Sequence, residues 1–184
     1  LLCNLLGACH NSIGDKADAI KYFDIATSIK PDYAQVYFNK GVIFNELGQL
    51  DLAIDNYNKA IELVPKYPDA HNNLGSVFQA LGQFENAIQS YEWAIAHNPN
   101  FAEAYNNLGN VLSEYGKVDL SIKNYENAIN INPNYLKANF NLAMALKNLG
   151  NEDGFNAVGL DGSKDSIDFE NDQLKFDNDT FDII

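Results

Sequence analysis

The chain has 184 residues and sets 25 Asp and Glu against 12 Lys and no Arg, for a net charge of −13. That balance excludes a nucleic-acid binder and docking on anionic lipid, both of which need cations, and the lack of Arg removes every bidentate carboxylate or phosphate clamp. Apolar residues at 46% allow a sizeable core, and no apolar run approaches the roughly 18 residues of a transmembrane helix.

The chain starts on Leu1 rather than Met, so an upstream segment is expected. Cys3 and Cys9, six apart, make neither a disulfide framework nor a metal site, and point to a reducing, cytoplasmic compartment. Leu6-Gly7-Ala8-Cys9 has the form of a lipoprotein cleavage box, but no basic stretch precedes it and the same residues fit a longer repeat.

That repeat has a step of 34. Prolines recur at Pro31, Pro65, Pro99 and Pro133, and glycines at Gly14, Gly48, Gly82, Gly116 and Gly150. Gly7, Gly41, Gly75 and Gly109 form a second glycine series, with Ala143 in the fifth place. Small residues follow at Ala19, Ala53, Ala87 and Ser121 and at Ala26, Ala60, Ala94 and Ala128, and aromatics at Phe23, Tyr57, Tyr91 and Tyr125. The units run over about 1–33, 34–67, 68–101 and 102–135, with half a unit over 136–150.

Each unit predicts two helices. In the fourth, Tyr105, Leu108, Gly109 and Leu112 make one helical face, and Leu120, Ile122, Tyr125, Ala128 and Ile129 another. Gly116 lies between them, where a left-handed C-terminal residue is needed, and Pro133 ends the second helix. Asp32, Asn100 and Asn134 are placed to cap the next helix, whereas Pro68 opens its own. Small Gly109 and Ala128 let the paired helices approach closely.

The unit AEAYNNLGNVLSEYGKVDLSIKNYENAININPN resembles the tetratricopeptide (TPR) repeat, and the resemblance covers residues 1–150. It implies an all-α fold, an α-α solenoid whose first helices line a concave face. Departures are local: Lys40 replaces a usual Leu and is expected to lift its ammonium to water, His10 and Cys3 take large apolar or aromatic places, and Asn139 replaces an aromatic.

Asn39, Asn73, Asn107 and Asn141 repeat at the sixth position of the first helices, which in this family faces the groove. Carboxamides donate and accept, the chemistry needed to hold an extended peptide by its backbone. A similar asparagine ladder lines the groove of O-linked N-acetylglucosamine transferases, so the resemblance implies peptide binding. Asn72, Ser76, Asn106 and Asn110 are neighbouring candidates, with Phe38, Val42, Phe140 and Met144 as apolar patches. The other reading is consensus inheritance in a chain of 26 Asn and no Arg. A clamp for acidic C-termini needs Lys or Arg one turn from Asn; the pairs Asn4/Ala8, Phe38/Val42, Asn72/Ser76 and Asn106/Asn110 lack any cation. His10, His71 and His97 lie on separate elements without ligand spacing, so neither a metal nor a catalytic residue is expected.

The register fails after Gly150, and residues 151–184 carry ten acidic against two basic residues. One reading is an acidic solubilising tail. The strings GFNAVGLDGS and LKFDNDTFDII also resemble parts of class I S-adenosylmethionine (SAM)-dependent methyltransferases. There Asp161 matches the acid that holds the ribose, and Leu174, Phe176, Phe181 and Asp182 match a later strand entry, with Lys175 in place of a proline. The glycine-rich loop is missing and 34 residues cannot build the sheet, so neither SAM nor any other cofactor is expected to bind. The functional expectation is a protein-interaction scaffold with a protein or peptide partner. The alternative is the substrate-recruiting arm of a TPR–methyltransferase fusion, present as a fragment. The last helix, without its partner, is expected to fray or to be covered by Phe155 and Val158, showing Phe140, Leu142, Met144 and Leu146.

Overall fold

A computed structural model describes residues 2–149. The expectations for 150–184, including the acidic tail, the methyltransferase-like strings, Asp161 and coverage by Phe155 and Val158, lie outside the described residues. The described residues form helices in head-to-tail pairs: α1 (Leu2–Ser12) with α2 (Lys16–Ile29), α3 (Ala34–Glu46) with α4 (Leu50–Leu63), α5 (Pro68–Ala80) with α6 (Phe84–His97), and α7 (Ala102–Glu114) with α8 (Val118–Ile131). A last helix, α9 (Leu136–Asn148), stands without a second helix among the described residues.

Each helix packs on its neighbours in sequence. The odd-numbered helices also touch one another along the stack, α1 on α3, α3 on α5, α5 on α7 and α7 on α9, whereas the even-numbered helices do not meet. Closer spacing on one side is what curves a helix-pair solenoid, so the odd helices form its inner rail.

The glycine series have two distinct causes. Gly116 has φ +81°, and the Gly116 and Lys117 N–H groups donate to the Ser113 and Leu112 carbonyls at 3.1 and 2.8 Å. This is the glycine-terminated helix end predicted for that position. Gly109 is different. A Cβ there would lie 2.5 Å from the Tyr125 ring, so the missing side chain is what lets α7 lie against α8. Gly7 meets Phe23 in the same way, which places the cleavage-box-like string inside a packed helix.

Three expectations are corrected. The residues before α3, α7 and α9 are Tyr33, Phe101 and Tyr135, one place after Asp32, Asn100 and Asn134, and none makes a side-chain cap. Asn100 and Asn134 instead donate backbone N–H groups to Asn98 and Asn132 Oδ1 at 3.3 and 3.2 Å, closing the turn before the helix begins. On α8, Leu120 is exposed and Ser121 is buried, its hydroxyl donating to the Val118 carbonyl at 2.7 Å. On α9, Leu142 and Leu146 are buried, and the exposed apolar side chains are Leu136, Phe140, Met144 and Leu149.

Lys40 carries its ammonium to the surface, where it meets a carboxylate. Its side chain is mostly buried and Nζ donates to Asp24 Oδ1 at 2.7 Å, joining α3 to α2. His10 also has neighbours that sequence spacing did not suggest. One donor atom from each of His10, Asp15 and Asp18 lies within 4.8 Å of the others. Helix capping and pairing explain that grouping: Asp15 accepts from the Asp18 N–H at 3.2 Å and meets His10 Nδ1 at 3.3 Å.

Candidate peptide-binding rail

The sixth residues of α3, α5, α7 and α9 are Asn39, Asn73, Asn107 and Asn141, and all four are half-buried on the inner rail. The amides of three of them, Asn39, Asn107 and Asn141, point along the stack. Asn107 Nδ2 donates to Asn72 Oδ1 at 3.1 Å, and Asn141 Nδ2 donates to Asn106 Oδ1 at 3.0 Å and to Asn110 Oδ1 at 2.9 Å. Asn39 reaches Asn4 Oδ1 at 3.4 Å and accepts from Gln35 Nε2 at 3.0 Å. The ladder is thus two interlocked asparagine columns.

Asn72 and Asn106 are only 2% and 3% exposed, so they form the buried column that seats the ladder. Asn110 is half-buried and accepts from the Tyr125 hydroxyl at 3.0 Å. Ser76, its counterpart one repeat earlier, accepts from the Tyr91 hydroxyl at 3.1 Å, and Gln79 Oε1 accepts from the same phenol at 3.1 Å. These aromatics therefore brace the helix pair through their rings and the rail through their hydroxyls.

The pattern breaks between α3 and α5. Phe38 occupies the place of Asn72 and Asn106, and Val42 that of Ser76 and Asn110. Tyr57 is fully buried there and its hydroxyl has no hydrogen-bond partner. Burial pushes its phenol up to about 12. Burial likewise pushes Tyr91 and Tyr125 up to about 12. Phe38 packs instead among aromatics, 5.1 Å from the Tyr67 ring and 5.9 Å from Tyr57.

Sequence reasoning missed the aromatics at the helix entrances. Tyr67 donates to Gln35 Oε1 at 2.9 Å, and Tyr33 accepts from Asn4 Nδ2 at 3.3 Å, so each reaches back to the preceding rail helix. Their own recurrence, as Tyr33, Tyr67, Phe101 and Tyr135, was the available signal. Between α7 and α9 the rail opens into a groove of about 670 Å³, lined by Asn106, Asn107, Asn110 and Asn141, by Tyr135, Leu136 and Phe140, and by Glu103 and Lys137. That lining can offer amide hydrogen bonds, an apolar wall and two charges of opposite sign to a strand-like ligand.

Family profiles described as "TPR repeat" match residues 41–82 and 77–116, and others described as "Tetratricopeptide repeat" match 2–33 and 102–135, together more than half of the chain. No curated protein matches the chain in sequence. Among solved structures it is similar to a crystal structure of MamA, at 27% identity over 81% of this chain and 87% of that one, with TM-score 0.76. It is also similar to the first TPR domain of Spaghetti (RPAP3) bound to the HSP90 peptide SRMEEVD, at 28% identity over 64% of this chain and 93% of that one, with TM-score 0.62. YrrB, described as a TPR protein with an unusual peptide-binding site, shares the fold at 20% identity over 83% of this chain and 78% of that one, with TM-score 0.70.

Proposed function

The chain belongs to the tetratricopeptide repeat family, and on that premise we propose that it is a non-catalytic interaction module holding an extended peptide segment of a partner protein along its inner rail. The observation that carries this reading is the hydrogen-bonded ladder, in which Asn107 and Asn141 are each fixed at 3.1 Å or less by a buried asparagine of the preceding rail helix. Carboxamides held in one orientation lose little entropy on meeting a peptide backbone. The RPAP3 domain holds a peptide on the same fold, which supports a peptide here as well. The acidic charge supports a protein rather than a nucleic acid as partner, and the free cysteines Cys3 and Cys9 support a reducing, cytoplasmic location. Among the described residues no helix is long and apolar enough to cross a membrane.

The test is the pair Asn73→Ala and Asn107→Ala. A peptide selected from a random-sequence library on the full chain should lose about tenfold or more in affinity on the double variant, the worth of one to two hydrogen bonds. Helicity by circular dichroism should stay unchanged. Equal affinity on both proteins removes the ladder from the mechanism.

A further inference from the structure

The groove between α7 and α9 carries one carboxylate and one ammonium, and the carboxylate, Glu103, has no cation within 4 Å among the described residues. The rail amides spend donors on one another: Asn141 uses Nδ2 on two acceptors, and Asn39 and Asn107 use theirs on Asn4 and Asn72. The Oδ1 atoms of Asn107 and Asn141 are less engaged than that of Asn39, which accepts from Gln35 Nε2 at 3.0 Å. That of Asn107 takes a long 3.4 Å bond from Asn106, and that of Asn141 accepts from no other described side chain. Asn110 Oδ1 is already filled by the Tyr125 hydroxyl and Asn141 Nδ2, so the oxygens this groove offers to a ligand are those of Asn107 and Asn141.

Carboxylates add to this. Asp69 and Glu103 hold the second positions of α5 and α7, and Glu103 lines the groove beside Asn107. Glu114, at the end of α7, accepts from Gln79 Nε2 at 2.7 Å. Among the described residues none of the three has a cation within 4 Å, whereas Glu46, further along the rail, is paired with Lys16. Glu103 and Glu114 both act on the Tyr91 phenol, and Glu103 acts on Tyr135, which places their charge at the rail. Lys137 is the opposing cation in the groove lining. Exposed aromatic surface lies alongside: Phe140 is 62% exposed.

We infer that the rail's ligand is a cationic extended peptide, with a Lys or Arg side chain seated between Glu103 and the Asn107 and Asn141 amide oxygens and its stem against Tyr135 and Phe140. The charged head meets a carboxylate and amide oxygens, and the alkyl stem and cation face an aromatic ring. The same arrangement disfavours an acidic tail such as SRMEEVD, whose carboxylates would meet Glu103 in the groove. This inference rests on the peptide-binding reading of the rail and names the chemistry of its ligand.

Random-sequence peptides selected on the full chain at low salt test it, read as the ratio of Lys and Arg to Asp and Glu in the enriched pool. Each exposed ion pair is worth about 1.5- to 5-fold in affinity, so two should raise that ratio by about threefold or more. Glu103→Gln with Glu114→Gln should return the ratio toward that of the unselected pool, as should raised salt. The variant matters because residues 151–184 carry ten acidic residues that also attract cations. A basic bias that survives Glu103→Gln with Glu114→Gln belongs to those residues and overturns the inference, as does an unbiased or acidic pool. If the pool is unbiased and its peptides still lose affinity on Asn73→Ala with Asn107→Ala, the peptide rail stands and only the charge selection fails. If no peptide is enriched, both fail.

Discussion

Gly109→Ala places one methyl group at the tightest seam of the helix pair. The added Cβ would sit 2.5, 2.7 and 3.0 Å from Cε1, Cδ1 and Cζ of Tyr125, against an ordinary carbon contact of about 3.5–4.0 Å. The ring cannot swing aside freely, because Tyr125 is 3% exposed and its hydroxyl is tied to Asn110 at 3.0 Å. Separating α7 from α8 should cost about 1–3 kcal/mol, while Ala in place of Gly returns about 1 kcal/mol of helix propensity. The single variant thus mixes two opposed effects, and a double-mutant cycle with Tyr125→Leu separates them. The propensity gain is present in both backgrounds and cancels, and only the clash depends on the ring. Urea unfolding followed by circular dichroism should give a coupling of about 1–3 kcal/mol, with Gly109→Ala better tolerated in the Tyr125→Leu background than in the parent. Additivity within about 0.5 kcal/mol would show that the ring is not why this position lacks a side chain.

Gly116→Ala should cost about 1–2 kcal/mol in the same assay for a different reason, since φ is +81° and nothing lies within 4 Å of the new Cβ; Tyr125→Leu should not rescue it. Tyr57→Phe should be neutral or stabilising by up to about 1 kcal/mol because the Tyr57 hydroxyl is buried without a partner, whereas Tyr125→Phe should cost about 1 kcal/mol with the loss of its bond to Asn110. Burial holds the His71 imidazole below its ordinary range, against the pull of the Pro65 carbonyl at 3.1 Å and with a smaller push from His97. The native state therefore binds fewer protons than the unfolded chain, so this stability is complete above about pH 6.5 and is lost as pH falls through the ordinary histidine range. Thermal melts of His71→Gln should show a flatter dependence on pH there than the parent, and the emission of Trp93, whose ring lies 5.9 Å from that of His71, reports the transition.

The period of 34 made the helix pairs, the two glycine roles and the ladder residues legible, because each depends on a residue type that few others can replace. A ring 2.5 Å from Cβ admits Gly, and φ near +80° favours it. What the period hid was the partner of each residue. Ladder bonds join residues 35 or 31 apart, as in Asn107 to Asn72 and Asn141 to Asn110, so they link one asparagine series to another, while a search at step 34 compares each series with itself. Lys40 with Asp24 escaped for the same reason, since that pair joins an even helix to the next odd one and recurs in no other unit. The caps were misplaced because Asp32, Asn100 and Asn134 have the right chemistry, yet each helix starts one residue later, after an aromatic, of which Tyr33 reaches back to Asn4 on the preceding rail helix.

The two irregularities of the rail share one cause. Replacing Asn by Phe at 38 leaves Asn73 without the acceptor that Asn107 and Asn141 have, and replacing Ser or Asn by Val at 42 leaves the Tyr57 hydroxyl unpaired. Both changes fall at half-buried positions on the inner rail, where a new side chain meets solvent on one side and can find new packing, as Phe38 does against Tyr67. The seam positions of the four helix pairs allow no such change, since a Cβ added at Gly41 would lie 2.6 Å from the Tyr57 ring, much as one at Gly109 would lie 2.5 Å from Tyr125. The seam therefore stays uniform along the stack while the rail differs from unit to unit: aromatic and aliphatic at α3, carboxamide and carboxylate at α7. Energetic constraint and chemical variety are separated by burial, which leaves the rail free to be shaped by whatever it binds.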